Sequence, residues 1–191
     1  MCGLSDACGP FFPVATFRWR ITFAPEKTDA MKTSLAKTVL AGFCGGLALN
    51  TAMFFTFRLI GFGLHGDGIL ISSPLQSPKL VAVWTQWEPL PLVIQSPFPI
   101  IGGLFLFTLF HAFAYRSVSA ALPTGFWARC WRLALTLWTA IFIFWEFFTP
   151  FNQFGEPLPL LAIEILFWLC IAFAESAAIV GIMERPARSP A

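Results

Sequence analysis

Charged side chains are scarce in this sequence. Only 12% of its 191 residues are Asp, Glu, Lys or Arg, whereas a soluble domain has about 25%. The formal net charge of +2 provides no strongly basic surface, which argues against a nucleic-acid partner. In contrast, 57% of the residues are hydrophobic and phenylalanine occurs 23 times. This composition predicts an integral membrane protein surrounded by membrane lipids.

Recognisable motifs for catalysis and cofactor binding are also missing. The sequence contains no H-E-x-x-H, G-x-S-x-G or P-loop pattern, and no Glu-x-x-His pair for a di-iron centre. The two histidines, His65 and His111, fall at different depths, which excludes a bis-histidine haem within one chain. We therefore expect no cofactor, no metal and no catalytic residue, and a non-enzymatic protein is favoured.

Four apolar segments are long enough to cross a membrane. A hydrocarbon core about 30 Å thick requires about 20 residues of helix, and a spanning segment must satisfy its own backbone hydrogen bonds. The segments run over about residues 35–60, 98–115, 133–149 and 158–183. They predict an all-α fold, a four-helix transmembrane bundle, which forms one membrane domain over 35–183. Residues 1–34 and 184–191 are predicted to be tails.

The basic residues predict the orientation of these spans. Nine of the twelve Lys and Arg residues lie in the two tails or between the second and third spans, and a tenth, Lys37, lies beside the N-terminal tail at the start of the first span. Cytoplasmic loops carry such an excess, so both termini are expected in the cytoplasm. The compact architecture without a transit peptide predicts a multi-pass protein of the bacterial plasma (inner) membrane. Residues 1–30, which precede Met31, have no signal-peptide pattern; they are interpreted as a dispensable tail or an upstream mis-start.

The link between the first and second spans carries the pattern of a short amphipathic helix. Ser77 is a suitable N-cap, Pro78 suits the first helical position, and Pro89 suits the end. The apolar stripe consists of Leu80, Val83, Trp84 and Trp87. Because tryptophan favours the headgroup region, we expect an interfacial helix in this outer loop. Its role as an anchor is favoured over its role as a lid on the helices.

Ionisable residues within the spans are the candidate functional residues, because charge is unfavourable in a membrane. Counting about 1.5 Å per residue places them in two polar layers. The outer layer contains Arg58, Glu146 and Glu164, and the inner layer contains His111, Tyr115 and Glu175. Glu156 falls in the link between the third and fourth spans and is expected to contact water.

Two kinds of helix contact are predicted from these positions. Glu146 and Glu164 are expected to face inward and compete for Arg58, which can clamp two carboxylates only imperfectly. One glutamate is therefore expected to stay protonated. In the first span, Gly42 and Gly46 form a small-xxx-small step leading to Asn50. This pattern predicts close helix packing with a hydrogen bond across the contact.

Three functional interpretations remain open. The favoured one is a small accessory protein or complex subunit with a polar intramembrane core, acting as a homo-oligomer or within a larger membrane complex. The alternative is a proton-coupled transporter or channel component that works as an oligomer and uses both polar layers. The third is a membrane enzyme acting on a lipophilic substrate through His65 and Asp67. No motif identifies the substrate or the partner.

Overall fold

The computed structural model describes residues 34–185, and every regular element within that range is a helix. Four of these helices are long and apolar enough to cross a membrane. They are α1 (Leu35–Gly61), α4 (Pro97–Ala121), α5 (Phe126–Phe154) and α6 (Leu158–Met183); the α1–α4 link contains α2 (Pro78–Thr85) and α3 (Leu92–Gln95). The all-helical architecture and the four candidate spans are confirmed. The expectations for residues 1–33, including a start at Met31, and for 186–191 fall outside the described residues.

Helix α5 is longer at both ends than its apolar core predicts. Helix α5 begins at Phe126 rather than near residue 133, because its first turns include arginines that a hydropathy criterion rejects. It also continues through Pro150 instead of ending there. Pro150 lies in a π-helical turn, Phe147–Phe151, and departures from regular α-helical bonding accommodate a residue that lacks the backbone donor. The helix ends at Gly155, whose φ of 68° suits glycine.

Small residues set the packing of α1, which lies between α4 and α6; α5 packs on α6. A Cβ atom at Gly42 would lie 2.7 Å from Cα of Leu109, and one at Gly46 would overlap the Phe105 ring. The Thr108 hydroxyl donates across this contact to the Gly42 carbonyl (2.9 Å). The predicted step therefore lies where α1 and α4 approach most closely.

Asn50 does not make the predicted bond across helices. Its Nδ2 donates to the carbonyl of Gly46 in its own helix (2.8 Å). The nearest acceptor for an amide on a helix is the carbonyl one turn earlier, and here that local partner is used. The contact between α1 and α4 is instead bridged by a threonine of α4, for which the glycine pattern gave no signal.

Side-chain hydrogen bonds hold the helices together at one of their two ends. We call the end where α1 finishes and α6 begins the loop end, and the opposite one the tail end. At the tail end, Glu184 accepts bonds from Tyr115 Oη and Arg129 Nη1, both at 2.6 Å. Lys37 Nζ donates to the carbonyl of Arg185 (2.6 Å). These bonds join α1, α4 and α5 to the residues that follow α6.

Candidate functional site

Three glutamates converge at the loop end, and we call them the carboxylate cluster: Glu146 in α5, Glu164 in α6 and Glu156 in the link between them. Their exposed fractions are only 2%, 5% and 1% respectively. One carboxylate oxygen from each lies within 4.8 Å of the other two. Glu146 and Glu164 were predicted to share a layer, and the structure places them together. The expectation that Glu156 contacts water is wrong.

The link between α5 and α6 explains how Glu156 reaches the cluster. Gly155 adopts a left-handed conformation that reverses the chain immediately after α5. The N–H of Glu156 then donates back to the carbonyl of Pro150 (3.1 Å), and Pro157 is the N-cap of α6. A Gly-Glu-Pro turn of three residues cannot carry its central side chain far from the helix ends. The turn therefore keeps Glu156 beside the ends of α5 and α6, and the contact from the outer loop described next completes its burial.

The outer loop covers the carboxylate cluster. Gln76 Nε2 donates to Glu156 Oε1 and to the carbonyl of Leu70, both at 2.8 Å. Next along the chain, the Ser77 hydroxyl donates to the carbonyl of Phe154 (2.6 Å), and Lys79 Nζ donates to that of Gln153 (2.5 Å). Ser77 thus binds the last residue of α5 rather than capping α2 with its side chain. The outer loop therefore packs over the loop end of α5 and α6, and the role of α2 as an anchor or a lid and its position relative to a membrane stay predictions.

No basic side chain neutralises the cluster in the part of the chain that the structure describes, since neither ion pair formed there within 4.0 Å includes these glutamates. Glu146 Oε1 accepts a bond from Trp168 Nε1, and Glu156 Oε1 accepts the bond from Gln76. The second oxygens of Glu146 and Glu156 are buried without a hydrogen-bond partner among the described residues.

Arg58 does not form the predicted ion pair with Glu146 or Glu164. Its guanidinium donates to the carbonyl oxygens of Gly63 and Leu64, the latter at 3.0 Å. The last carbonyls of a helix and those just beyond it lack helical partners, so an arginine in the final turn finds acceptors locally. Arg58 therefore fixes the exit of α1 and leaves the carboxylate cluster without a counter-charge.

Aromatic rings separate this cluster from the polar groups nearer the tail end. Trp168 stacks on Phe142 with ring centres 4.4 Å apart, and it contacts Phe57 at 4.9 Å. Ile171, one turn further along α6, is fully buried. We call this set the aromatic layer. Trp168 and Ile171 lie between Glu164 and Glu175 along α6, so this layer of Phe57, Phe142, Trp168 and Ile171 lies between the two polar regions.

The second polar region is a pair formed between α4 and α6. His111 Nδ1 lies 2.7 Å from Glu175 Oε1, and the two residues are 6% and 0% exposed. The structure thus brings together two of the three predicted inner-layer residues. The third, Tyr115, lies one turn further along α4 and binds Glu184 instead. Glu184 was missed because it falls just beyond the apolar span, where an acid is expected to contact water.

The pair proposed for an enzyme does not form a catalytic arrangement. His65 and Asp67 are exposed and lie beside a shallow surface depression of about 370 Å³. No hydrogen bond joins their side chains in the described residues. A general base must be oriented by a partner within hydrogen-bond distance, and this histidine has none within residues 34–185.

The burial and charge of the carboxylate cluster determine what it can bind. Buried carboxyl groups without counter-charge must hold protons or a cation, and carboxylate and amide oxygens are ligands for hard cations. Comparison of the whole chain with protein-family models, with curated proteins and with solved structures finds no match. The functional conclusion therefore depends on the geometry of these residues.

Proposed function

We propose that this chain is a multi-pass membrane protein that takes up and releases cations, protons included, at the carboxylate cluster. It would act as a component of proton- or cation-coupled transport. The observation that carries the proposal is the burial of three carboxyl groups within 4.8 Å of one another, with no basic side chain within 4.0 Å in the described residues.

Helix packing alone does not require such a cluster. An acidic residue at the centre of a spanning helix costs about 2.5–3.5 kcal/mol on insertion scales. One hydrogen bond between two helices needs one polar partner from each, yet three acids from α5, α6 and their link meet here. Because the like charges repel one another, the cluster is stable only when protons or a cation compensate them. Its occupancy should therefore follow the cation concentration.

The proposed transport has an orientation across the membrane and a route through the helices. The excess of basic residues at the tail end supports a cytoplasmic location for that end, so the loop end and its cluster would face outward. His111 and Glu175 would provide a second proton-binding pair on the cytoplasmic side. Because the aromatic layer lies between them, we expect transfer to require movement of α5 or α6.

Helix α5 has a feature that suits such movement. π-Helical turns lie on both sides of Glu146, at Trp138–Ile143 and Phe147–Phe151. Such turns weaken regular backbone bonding and occur frequently at functional sites. A shift in α5 would move Glu146 relative to Glu164. We expect the working unit to be a homo-oligomer or a larger complex in a bacterial plasma membrane, since four helices enclose little space.

Reconstituted vesicles test this proposal. Purified protein is placed in liposomes containing a pH-sensitive dye, and proton entry is measured under an imposed membrane potential. We expect Glu164→Gln to abolish proton entry while the far-ultraviolet circular dichroism stays that of the wild type. Glu88→Gln changes an exposed glutamate of the same outer loop and should retain full entry. Equal rates for folded Glu164→Gln and wild type would refute the proposal.

An accessory subunit is the second candidate, and a different observation favours it. Side-chain bonds to backbone join neighbouring helices, as from Trp138 Nε1 to the carbonyl of Ile165 (2.9 Å). Such bonds give rigid packing rather than movement. If this role is correct, wild-type vesicles show no flux, Glu164→Gln keeps its assembly, and a partner protein co-purifies in mild detergent. A lipid-modifying enzyme stays the least supported role; it would require activity that His65→Ala removes.

A further inference from the structure

We infer that the carboxylate cluster is a binding site for one divalent cation of the size of Ca²⁺. This inference rests on the proposed function and names the species that exchanges with protons there. The ligands are Glu146, Glu156 and Glu164, with Gln76 holding Glu156 in position from above.

The burial and spacing of the oxygens favour an ion of the size of Ca²⁺ over Mg²⁺. Ca²⁺ binds oxygen ligands at about 2.3–2.6 Å in a flexible geometry, and one oxygen from each glutamate lies within 4.8 Å of the other two. A single ion placed among them can therefore bind all three carboxylates. Mg²⁺ demands octahedral geometry and usually keeps several water molecules, and side chains that are only 1–5% exposed leave little access for them.

A second observation points to a ligand independently of this spacing. The Oε2 atoms of Glu146 and Glu156 are buried and accept no hydrogen bond among the described residues, and these side chains are only 2% and 1% exposed. More than 90% of buried polar groups in proteins have a partner. Both side chains converge on the cluster, so these two free oxygens are available to a bound ion.

Neutral groups supply the hydrogen bonds to the cluster within the described residues, so its charge must be compensated by protons or by a bound cation. Trp168 Nε1 donates to one oxygen of Glu146, and Gln76 Nε2 donates to one oxygen of Glu156. The side-chain oxygen of Gln76, Oε1, already accepts the backbone N–H of Ser77 (2.7 Å), so the side-chain amide of Gln76 is held in one orientation. Gln76 is accordingly a positioning residue that keeps Glu156 turned towards the other two acids.

Calcium binding exchanges with protons at the cluster. A proton that a carboxyl group holds before Ca²⁺ binds leaves for the solvent at the loop end when the ion replaces it. Metal binding to protonated ligands releases protons in this way and weakens as pH falls. Calcium binding should therefore be accompanied by proton release and should be tighter at higher pH.

Calcium binding to the full chain in lipid nanodiscs tests the inference, with radioactive Ca²⁺ in equilibrium dialysis as the probe. We expect one saturable site per chain, lost in Glu146→Gln and in Glu164→Gln and kept in the exposed Glu88→Gln control. Glutamine preserves the shape of each side chain and removes repulsion, so these variants should fold, which thermal unfolding checks. A pH-indicator dye in weak buffer should record proton release as Ca²⁺ binds.

Three outcomes would overturn the assignment. One is a wild-type dissociation constant weaker than about 10⁻³ M, the weak end for extracellular calcium sites. Another is binding of Mg²⁺ without Ca²⁺, because the size argument then fails. The third is calcium binding that survives both glutamine variants. If calcium does not bind but proton entry into vesicles still depends on Glu164, only this inference fails; if neither occurs, the proposed function fails with it.

Discussion

Substituting Gly42 by alanine should separate α1 from α4 and destabilise the protein. The added Cβ would lie 2.7 Å from Cα and 2.9 Å from Cδ1 of Leu109. A side-chain end could rotate away from this overlap, whereas the Leu109 backbone can yield only if α4 moves. The same movement would lengthen the bond from the Thr108 hydroxyl to the Gly42 carbonyl, now 2.9 Å.

The expected change in the free energy of unfolding follows from two opposing effects. Overpacking a well-packed contact costs about 1–3 kcal/mol, while replacing glycine by alanine within a helix gains about 0.5–1 kcal/mol. Gly103→Ala in α4 isolates the second effect, because its Cβ would meet nothing within 4 Å. Both variants share the gain in helix propensity. Gly42→Ala should therefore be less stable than Gly103→Ala by the overpacking term alone, about 1–3 kcal/mol.

Equilibrium unfolding in mixed micelles measures this difference. The purified variants are titrated with sodium dodecyl sulfate, and the free energy of unfolding is obtained from the loss of helical circular dichroism. We expect Gly103→Ala to equal or exceed the wild type and Gly42→Ala to fall below it. Equal stability of the two alanine variants would show that α1 and α4 do not approach at Gly42, and the packing described here would be wrong.

Two further predictions concern the remaining polar groups. His111→Leu should lower the free energy of unfolding by about 3–5 kcal/mol, because it leaves Glu175 buried without its partner. Adding Glu175→Leu should restore most of the loss. A double variant that is no more stable than the single one would contradict this. Arg58→Ala should speed amide hydrogen exchange over residues 62–72, since it frees two carbonyls at the exit of α1, and should leave calcium binding unchanged. The exposed Arg132→Ala serves as the control, and loss of calcium binding in Arg58→Ala would show that the loop exit and the cluster are coupled.

The features that follow from periodicity and depth were predictable from the sequence. Four spans emerge because a helix of known rise must cross a layer of known thickness. The same counting placed His111 and Glu175 at one depth, and a buried acid and an imidazole at one depth have few other partners. The structure joins them at 2.7 Å. Helix geometry therefore determines such pairs even though they lie 64 residues apart.

The features that depend on loops were not predictable in this way. Glu156 was expected in water because a link between spans normally contacts solvent. It is buried because Gln76, 80 residues earlier in the chain, folds over it, and no local pattern specifies that contact. Arg58 was assigned to distant carboxylates because opposite charges attract, yet carbonyls five and six residues further along the chain are its partners. For Arg58, the short distance along the chain to these carbonyls outweighed the attraction of the more distant carboxylates.

The central position of α1 has a consequence for how the protein is made. Ribosomes add about 5–20 residues each second, and α1 can pair with α4 as soon as both have entered the membrane. Helix α5 has no extensive neighbour at that stage, because its main contact is α6, whose 26 residues take about 1–5 s more to synthesise at that rate. During that interval α5 must be tolerated by lipid on nearly all sides. A nascent chain halted before α6 would lack both Glu164 and Glu175, so neither polar region could exist until α6 has been synthesised.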